Sequence, residues 1–175
     1  MTGSTGKEIQ DVRFMEMALD AAEAALKAGE FPVGCVIADE SGVLATGART
    51  GTAGESANEV DHAEMTALRE LTGQGGRREY RSYSLYTTLE PCLMCYAAIL
   101  LTGIGRIVYA YEDVMGGGLH CDLNQLPALY RERRAVIVPN VLRGRSLALF
   151  KAFFQDPDRG YWRDSYLARY TLEQG

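Results

Sequence analysis

With 175 residues, 47% hydrophobic and 23% charged, the chain has the size and balance of a single globular domain around one core. Its 18 Lys and Arg against 23 Asp and Glu leave a net charge of −5, opposite to the basic footprint of a protein that lives on nucleic acid. No stretch approaches the roughly 18 uninterrupted apolar residues of a membrane span. Residues 1–6 are small and polar without the basic-then-apolar order of an export signal. A loose N-terminal tail on a cytoplasmic protein is expected, with its four cysteines kept reduced.

In residues 8–28 Ile9, Val12, Met15, Leu19, Ala22 and Leu26 recur at helical spacing before Gly29 supplies a stop. Short β-rich runs at 33–38 and 43–48 flank Asp39-Glu40-Ser41-Gly42 and read as a hairpin. A Gly- and Ser-rich loop follows at 51–58, then a helix over 63–71 that Gly73 to Gly76 breaks. A strand at 83–88, a helix at 92–101 and a strand at 106–111 come next. Alternating strand and helix predicts parallel pairing among these later strands. Gly116-Gly117-Gly118 opens a flexible connection, 135–138 is a fifth strand, and 146–154 begins a C-terminal helical region that extends over 157–175.

Cys92 and Cys95 lie three apart at the expected start of a helix, after Pro91, which suits a first turn. Residues three apart share a helix face, so both sulfurs can reach one tetrahedral ion. The positive end of the helix dipole favours thiolates there. A lone Cys-x-x-Cys is equally compatible with a redox pair or with buried helical cysteines. His62, with Glu64 beside it, starts another helix. Two sulfurs and an imidazole make three ligands, and a catalytic zinc keeps its fourth position for water. Two residues subtend about 200° on a regular helix, so His62 and Glu64 serve one site only if His62 sits in an irregular first turn, with Asp61 as N-cap. The competing reading is structural: Asp61 followed three residues on by Glu64 resembles a capping box. His-x-Glu on one helix and Pro-Cys-x-x-Cys on another, about thirty residues later, is the zinc deaminase pattern, in which the glutamate moves protons and is not a ligand.

His62-Ala63-Glu64 and Thr88-Leu89-Glu90-Pro91-Cys92-Leu93-Met94-Cys95 resemble the motifs of the cytidine deaminase-like superfamily, in the branch of bacterial tRNA wobble-adenosine deaminases and guanine deaminases. The similarity runs on through Phe31-Pro32-Val33-Gly34 and Ile104-Gly105-Arg106-Ile107-Val108-Tyr109 to the helix with Phe153-Phe154. It implies an α/β fold, a three-layer α/β/α sandwich with a five-stranded mixed sheet. It also implies one zinc per subunit, a homodimer, and a base pocket lined in part by residues 31–34 and Pro91. Two positions depart from the pattern. Arg49 stands where the branch has a substrate-contacting Asn, and Asn58-Glu59-Val60-Asp61 replaces Asp-Pro-Thr-Ala before the histidine. Arg49 is therefore expected at an exposed pocket rim, and Asn58 as a replacement contact.

Cys35 reads as a small buried hydrophobe, and His120 and Cys121 as loop residues, with a fourth ligand or a pocket wall as the alternative. Arg131, Arg133, Arg134, Arg143 and Arg145, set against Glu132 alone, could form a basic patch or merely a solvated face. Trp162, Tyr166 and Tyr170 recur every four residues as a packing helix face, or as a lid over a pocket. The expected activity is hydrolytic deamination of a free purine-like base or nucleoside. A tRNA wobble adenosine is the alternative substrate, and a non-catalytic fold with a structural zinc the remote one.

Overall fold

The computed structural model describes residues 6–54, 57–75 and 79–174. The tail expected at 1–5 lies outside them, as do 55–56 of the glycine-rich loop and 76–78, while Gly6 already belongs to the first helix, α1 (Gly6–Lys27). That helix buries Phe14, Met15, Ala18, Leu19, Ala22 and Ala25. Ile9 and Val12, which the periodicity placed on the apolar face, are exposed. Asp11 is buried in the same helix, where its carboxylate takes both forks of Arg106 at 2.5 and 2.6 Å and the Tyr86 hydroxyl at 3.1 Å. The buried face of α1 thus includes an acid that hydrophobicity alone does not pick out.

Strands β1 (Gly34–Asp39) and β2 (Gly42–Ala48) form the expected hairpin. Asp39 Oδ1 accepts the N–H groups of Ser41 and Gly42 in its turn. Strands β3 (Ser84–Leu89), β4 (Arg106–Tyr111) and β5 (Val136–Val138) complete a sheet of order β2-β1-β3-β4-β5. β1 is antiparallel to both neighbours, whereas β3, β4 and β5 are parallel. β3 and β4 are buried along nearly their whole length, as central strands covered on both faces must be. β5 is a short edge with Val136 and Ile137 exposed.

Side chains alternate across this sheet into two cores. On one face Val36, Tyr86 and Val108 meet Phe14, Met15 and Leu19 of α1. On the other, Cys35, Ile37, Leu85 and Ile107 meet residues of α2 (Ala63–Gly73) and α3 (Leu93–Thr102). The result is the α/β/α sandwich with a mixed sheet. Two glycines allow the close packing. A Cβ on Gly34 would stand 2.1 Å from the Ala18 carbonyl oxygen of α1, and one on Gly47 would stand 2.0 Å from that of Ala63 in α2.

After a one-turn α4 (Ala128–Arg131), α5 (Arg143–Gln155) starts earlier than expected, from Leu142 in left-handed backbone, and α6 (Tyr166–Glu173) follows. Trp162 is not on a helix face: its φ is +51°, in the turn before α6, which starts where the Ser165 side chain accepts the Ala168 N–H. No helix among the described residues is long and apolar enough to cross a membrane.

Candidate active site

The start of α2 and the start of α3 point at one place. His62 is the N-cap of α2, in extended backbone with φ −66° and ψ 154°. It therefore leaves the helix screw and shares a site with Glu64. Asp61 is not the cap. Its carboxylate is held instead by Asn58 Nδ2 at 2.6 Å and by Arg69. No side chain caps α2 and Glu64 is buried, so the capping box is not built. Cys92 is the N-cap of α3, with Cys95 in its first turn.

His62 Nδ1 stands 3.6 Å from Cys92 Sγ and 3.5 Å from Cys95 Sγ. Zinc bonds of about 2.3 Å to sulfur and 2.0–2.1 Å to nitrogen, at a tetrahedral angle, give an N···S edge of about 3.5 Å. The three side chains thus fit a zinc ion by their spacing. Among the described residues they are the one group of three or more with metal-ligand character, and no fourth protein ligand joins them. Cys35 is buried in β1 outside the group, and His120 and Cys121 are exposed. Among the described residues a closed structural site of four protein ligands is not assembled.

The electrostatics suit metal binding. Cys92 is held down to about 4 by the hydrogen bond from Cys95 and by His62, and Cys95 is pushed up by that same bond and by burial. This favours the thiolate form at Cys92. His62 is raised chiefly by its contact with Cys92. Glu64 is raised by burial. Its Oε1 accepts the Thr87 hydroxyl at 3.3 Å and its Oε2 faces the Cys95 sulfur at 3.6 Å.

His62, Glu64 and Cys92 line a cleft of about 450 Å³, mouth included, with Phe31, Val33, Leu89, Tyr161 and Trp162 as apolar walls. Of the residues expected to contact substrate, Phe31 and Val33 line this cleft. Pro32 and Gly34 lie behind the wall, bridged through the Thr88 hydroxyl, which accepts the Gly34 N–H at 3.1 Å and reaches the Pro32 carbonyl oxygen at 3.5 Å. Pro91 is off the wall too, its carbonyl accepting the Gly118 N–H at 2.8 Å, although Glu90 and Cys92 on either side line the cleft. Asn58 is exposed, its Oδ1 taken by the N–H groups of Val60 and Asp61. Arg49 lines the cleft but is 2% exposed, not the solvent-facing rim residue expected.

Tyr161, Glu90 and Asp113 line the cleft unforeseen. Glu90 sits inside the cysteine motif, two residues before Cys92. Its Oε1 is buried with no partner, and burial raises its pKa. Asp113 Oδ1 accepts the N–H groups of Met115 and Gly116, so the glycine run after it was the legible signal. Tyr161 has no local signal, because only the tertiary fold brings it over the pocket. The arginine run forms no single patch. Arg143 pairs with Glu112 and Arg145 with Glu16 at 3.7 Å, while Arg133 and Arg134 border a separate groove with Arg81.

Residues 8–111 match the model of the cytidine and deoxycytidylate deaminase zinc-binding region, and the chain belongs to that family. A tRNA-specific adenosine deaminase of Rickettsia felis is 32% identical over 141 residues, covering 81% of this chain and 98% of the relative. A tRNA-specific adenosine deaminase of Streptococcus pyogenes serotype M1 is 36% identical over 106 residues, and the match spans 61% of either chain. A structure from a study of A-to-I editing by tRNA:A34 deaminases superposes with a TM-score of 0.62 at 29% identity, over 74% of this chain and 98% of that one. The guanine deaminase of Nitrosomonas europaea, at 19% identity, a TM-score of 0.64 and coverage of 85% and 92%, shares the fold.

Proposed function

We propose that the chain is a zinc-dependent hydrolytic deaminase of a purine amino group, with His62, Cys92 and Cys95 as metal ligands and Glu64 as general acid and base. The observation that carries this reading is the pair of N···S distances of 3.6 and 3.5 Å beside a buried carboxylate. A zinc ion held there supplies Lewis acidity toward a water molecule at neutral pH. Glu64 takes a proton from that water and passes it to a ring nitrogen as oxygen bonds to the amino-bearing carbon. It then takes the remaining proton from the new hydroxyl and delivers it to the amino group, so that the C–N bond breaks, ammonia leaves and a carbonyl is left on the ring.

Adenosine in a tRNA anticodon is the substrate we favour. Support comes from relatives at 32% and 36% identity that are tRNA-specific adenosine deaminases, and this reverses the order that charge and substitutions alone suggested. A free purine base or nucleoside is the second reading, favoured by Tyr161 and Trp162, which stack at 5.0 Å and wall the cleft. A homodimer belongs to the same proposal, supported by the exposed Leu93 and Leu101 on α3; light scattering tests it. Inosine formation in an anticodon stem-loop, measured across a salt series beside ammonia release from a panel of bases and nucleosides, separates the two substrates. Stem-loop turnover that falls steeply with salt is expected. Turnover of a free base with no inosine in the stem-loop would install the second reading.

A further inference from the structure

Arg49 places a cation in a largely apolar cleft, and its counter-ion is loosely held. The Arg49 side chain is 3% exposed and that of Glu59 is 51% exposed, with 3.4 Å between Nη2 and Oε2. Nη1 donates to the carbonyl oxygens of Thr50 at 3.0 Å and Asp61 at 3.1 Å, which fixes the guanidinium plane. Among the described residues Nη2 reaches only Glu59 at 3.4 Å and the Tyr161 hydroxyl at 3.3 Å. Both contacts are longer than a normal N–H···O bond, and the Tyr161 hydroxyl has a nearer acceptor in Glu59 Oε2 at 2.8 Å. The asymmetry decides which partner can leave. A half-exposed carboxylate swings into water at little cost, whereas a buried guanidinium must keep an anion or acceptor beside it. An incoming anion with several oxygens matches the guanidinium edge better than one carboxylate oxygen at long range.

We propose that Arg49 is a specificity-determining residue that binds the phosphate of a nucleotide substrate, and that Glu59 is the stand-in carboxylate which that phosphate displaces. The inference rests on the deaminase reading of the same cleft, which Arg49 lines together with His62 and Glu64. For a ring bearing an amino group on an amidine-like carbon, the anion that travels with it is the phosphate of its nucleotide. Tyr161 takes part. Its hydroxyl, freed from Glu59, can donate to the same phosphate, and its ring already lies 5.8 Å from the Arg49 guanidinium carbon.

Trp162 is the one tryptophan of the chain and it walls the cleft, so its fluorescence reports occupancy. The zinc-loaded protein is titrated with inosine and with inosine 5′-monophosphate, reaction products that no turnover alters, and with inorganic phosphate as a control. Charge-assisted contacts to Nη2 are expected to make the monophosphate bind about ten-fold tighter than the nucleoside. Arg49→Gln should bring the ratio of the two constants to about one, and Glu59→Gln should tighten the monophosphate alone by removing its competitor. Equal constants in the unmodified protein overturn the proposal, as does a ratio that survives Arg49→Gln. If Arg49→Gln does not fold, Glu59→Gln decides: no gain for the monophosphate counts against displacement. Binding is read without catalysis, so a failure of the deaminase reading in the ammonia and inosine assays is separately visible.

Discussion

Glu64 shows how one side chain can satisfy two descriptions in the sequence and only one in space. As the third residue after Asp61 it fits a cap, yet it lies buried against Thr87 and Cys95 with no cap bond. Glu64→Gln keeps the volume and cannot shuttle a proton, so turnover should fall by about 10²- to 10⁴-fold with zinc still at one per chain by metal analysis. The melting temperature should hold or rise, because a buried ionisable group is removed. A melting temperature lowered by several degrees with turnover nearly intact would make the residue structural. Asp11 is the opposite case, a residue whose importance the sequence hides because it interrupts an apolar stripe. Asp11→Ala leaves Arg106 buried without its partner and should cost about 3–5 kcal/mol in denaturant unfolding, while Asp11→Leu with Arg106→Met should recover most of that. A loss within 1 kcal/mol or so for the single variant would show that water replaces the carboxylate.

Elements were legible where local chemistry fixes them. The hairpin has its Asp-x-Ser-Gly turn, the central strands have runs of β-branched and aromatic residues, and α3 starts after Pro91. The group that could hold a metal, His62, Cys92 and Cys95, was legible for the same reason, since each sits within a residue or two of a helix start. What the sequence could not carry was backbone that departs from its period. His62 rather than Asp61 is the cap, and the four-residue spacing of Trp162, Tyr166 and Tyr170 is broken by the left-handed backbone at Trp162. Packing glycines were equally invisible. Gly47→Ala would drive a Cβ into the backbone at the start of α2, so it should destabilise by at least about 1–3 kcal/mol and weaken zinc binding, because His62 and Glu64 ride on that turn. Gly144 in α5 is the contrast, since a Cβ added there would meet nothing within 4 Å. Gly144→Ala should therefore stabilise by about 0.5–1 kcal/mol. Thermal melts and competitive zinc titration of the two variants check the difference; equal effects would mean that α2 is free to shift.

At the scale of the molecule, the chemistry and its surroundings come from distant parts of the chain. The residues that could hold a metal stand on two helix starts over one face of the sheet, whereas Tyr161, which lines the cleft and bonds Glu59, lies in the C-terminal segment. That segment is anchored through Glu112 at the end of β4, which takes the Arg143 guanidinium of α5 and the Tyr170 hydroxyl of α6. Burial pushes the Glu112 carboxyl up, but the bonds from Arg143 and Tyr170 outweigh it and leave its pKa below 4.5. A depressed folded-state value means stabilisation that is full above 4.5 and is lost as pH falls through the folded value. Glu112→Gln should cost about 1 kcal/mol near neutral pH, discounted for partial exposure, and the gap to the unmodified protein should close in strong acid. Melting curves taken from pH 7 down to about pH 3 test the sign. A gap that widens in acid would assign the anchor to packing rather than charge.

The shortness of β5 has a consequence for how the protein behaves in a crowd. An open sheet edge is a template on which a second chain can pair, and Val136 and Ile137 are exposed at this one. Three residues offer few free backbone groups. Arg133 and Arg134 precede the segment with like charges, and Pro139 follows it without an N–H to donate. The edge is thus apolar in composition yet poor as a seed for fibrous or amorphous aggregates, and the charged and proline flanks act as gatekeepers for the same residues while the chain is still unfolded.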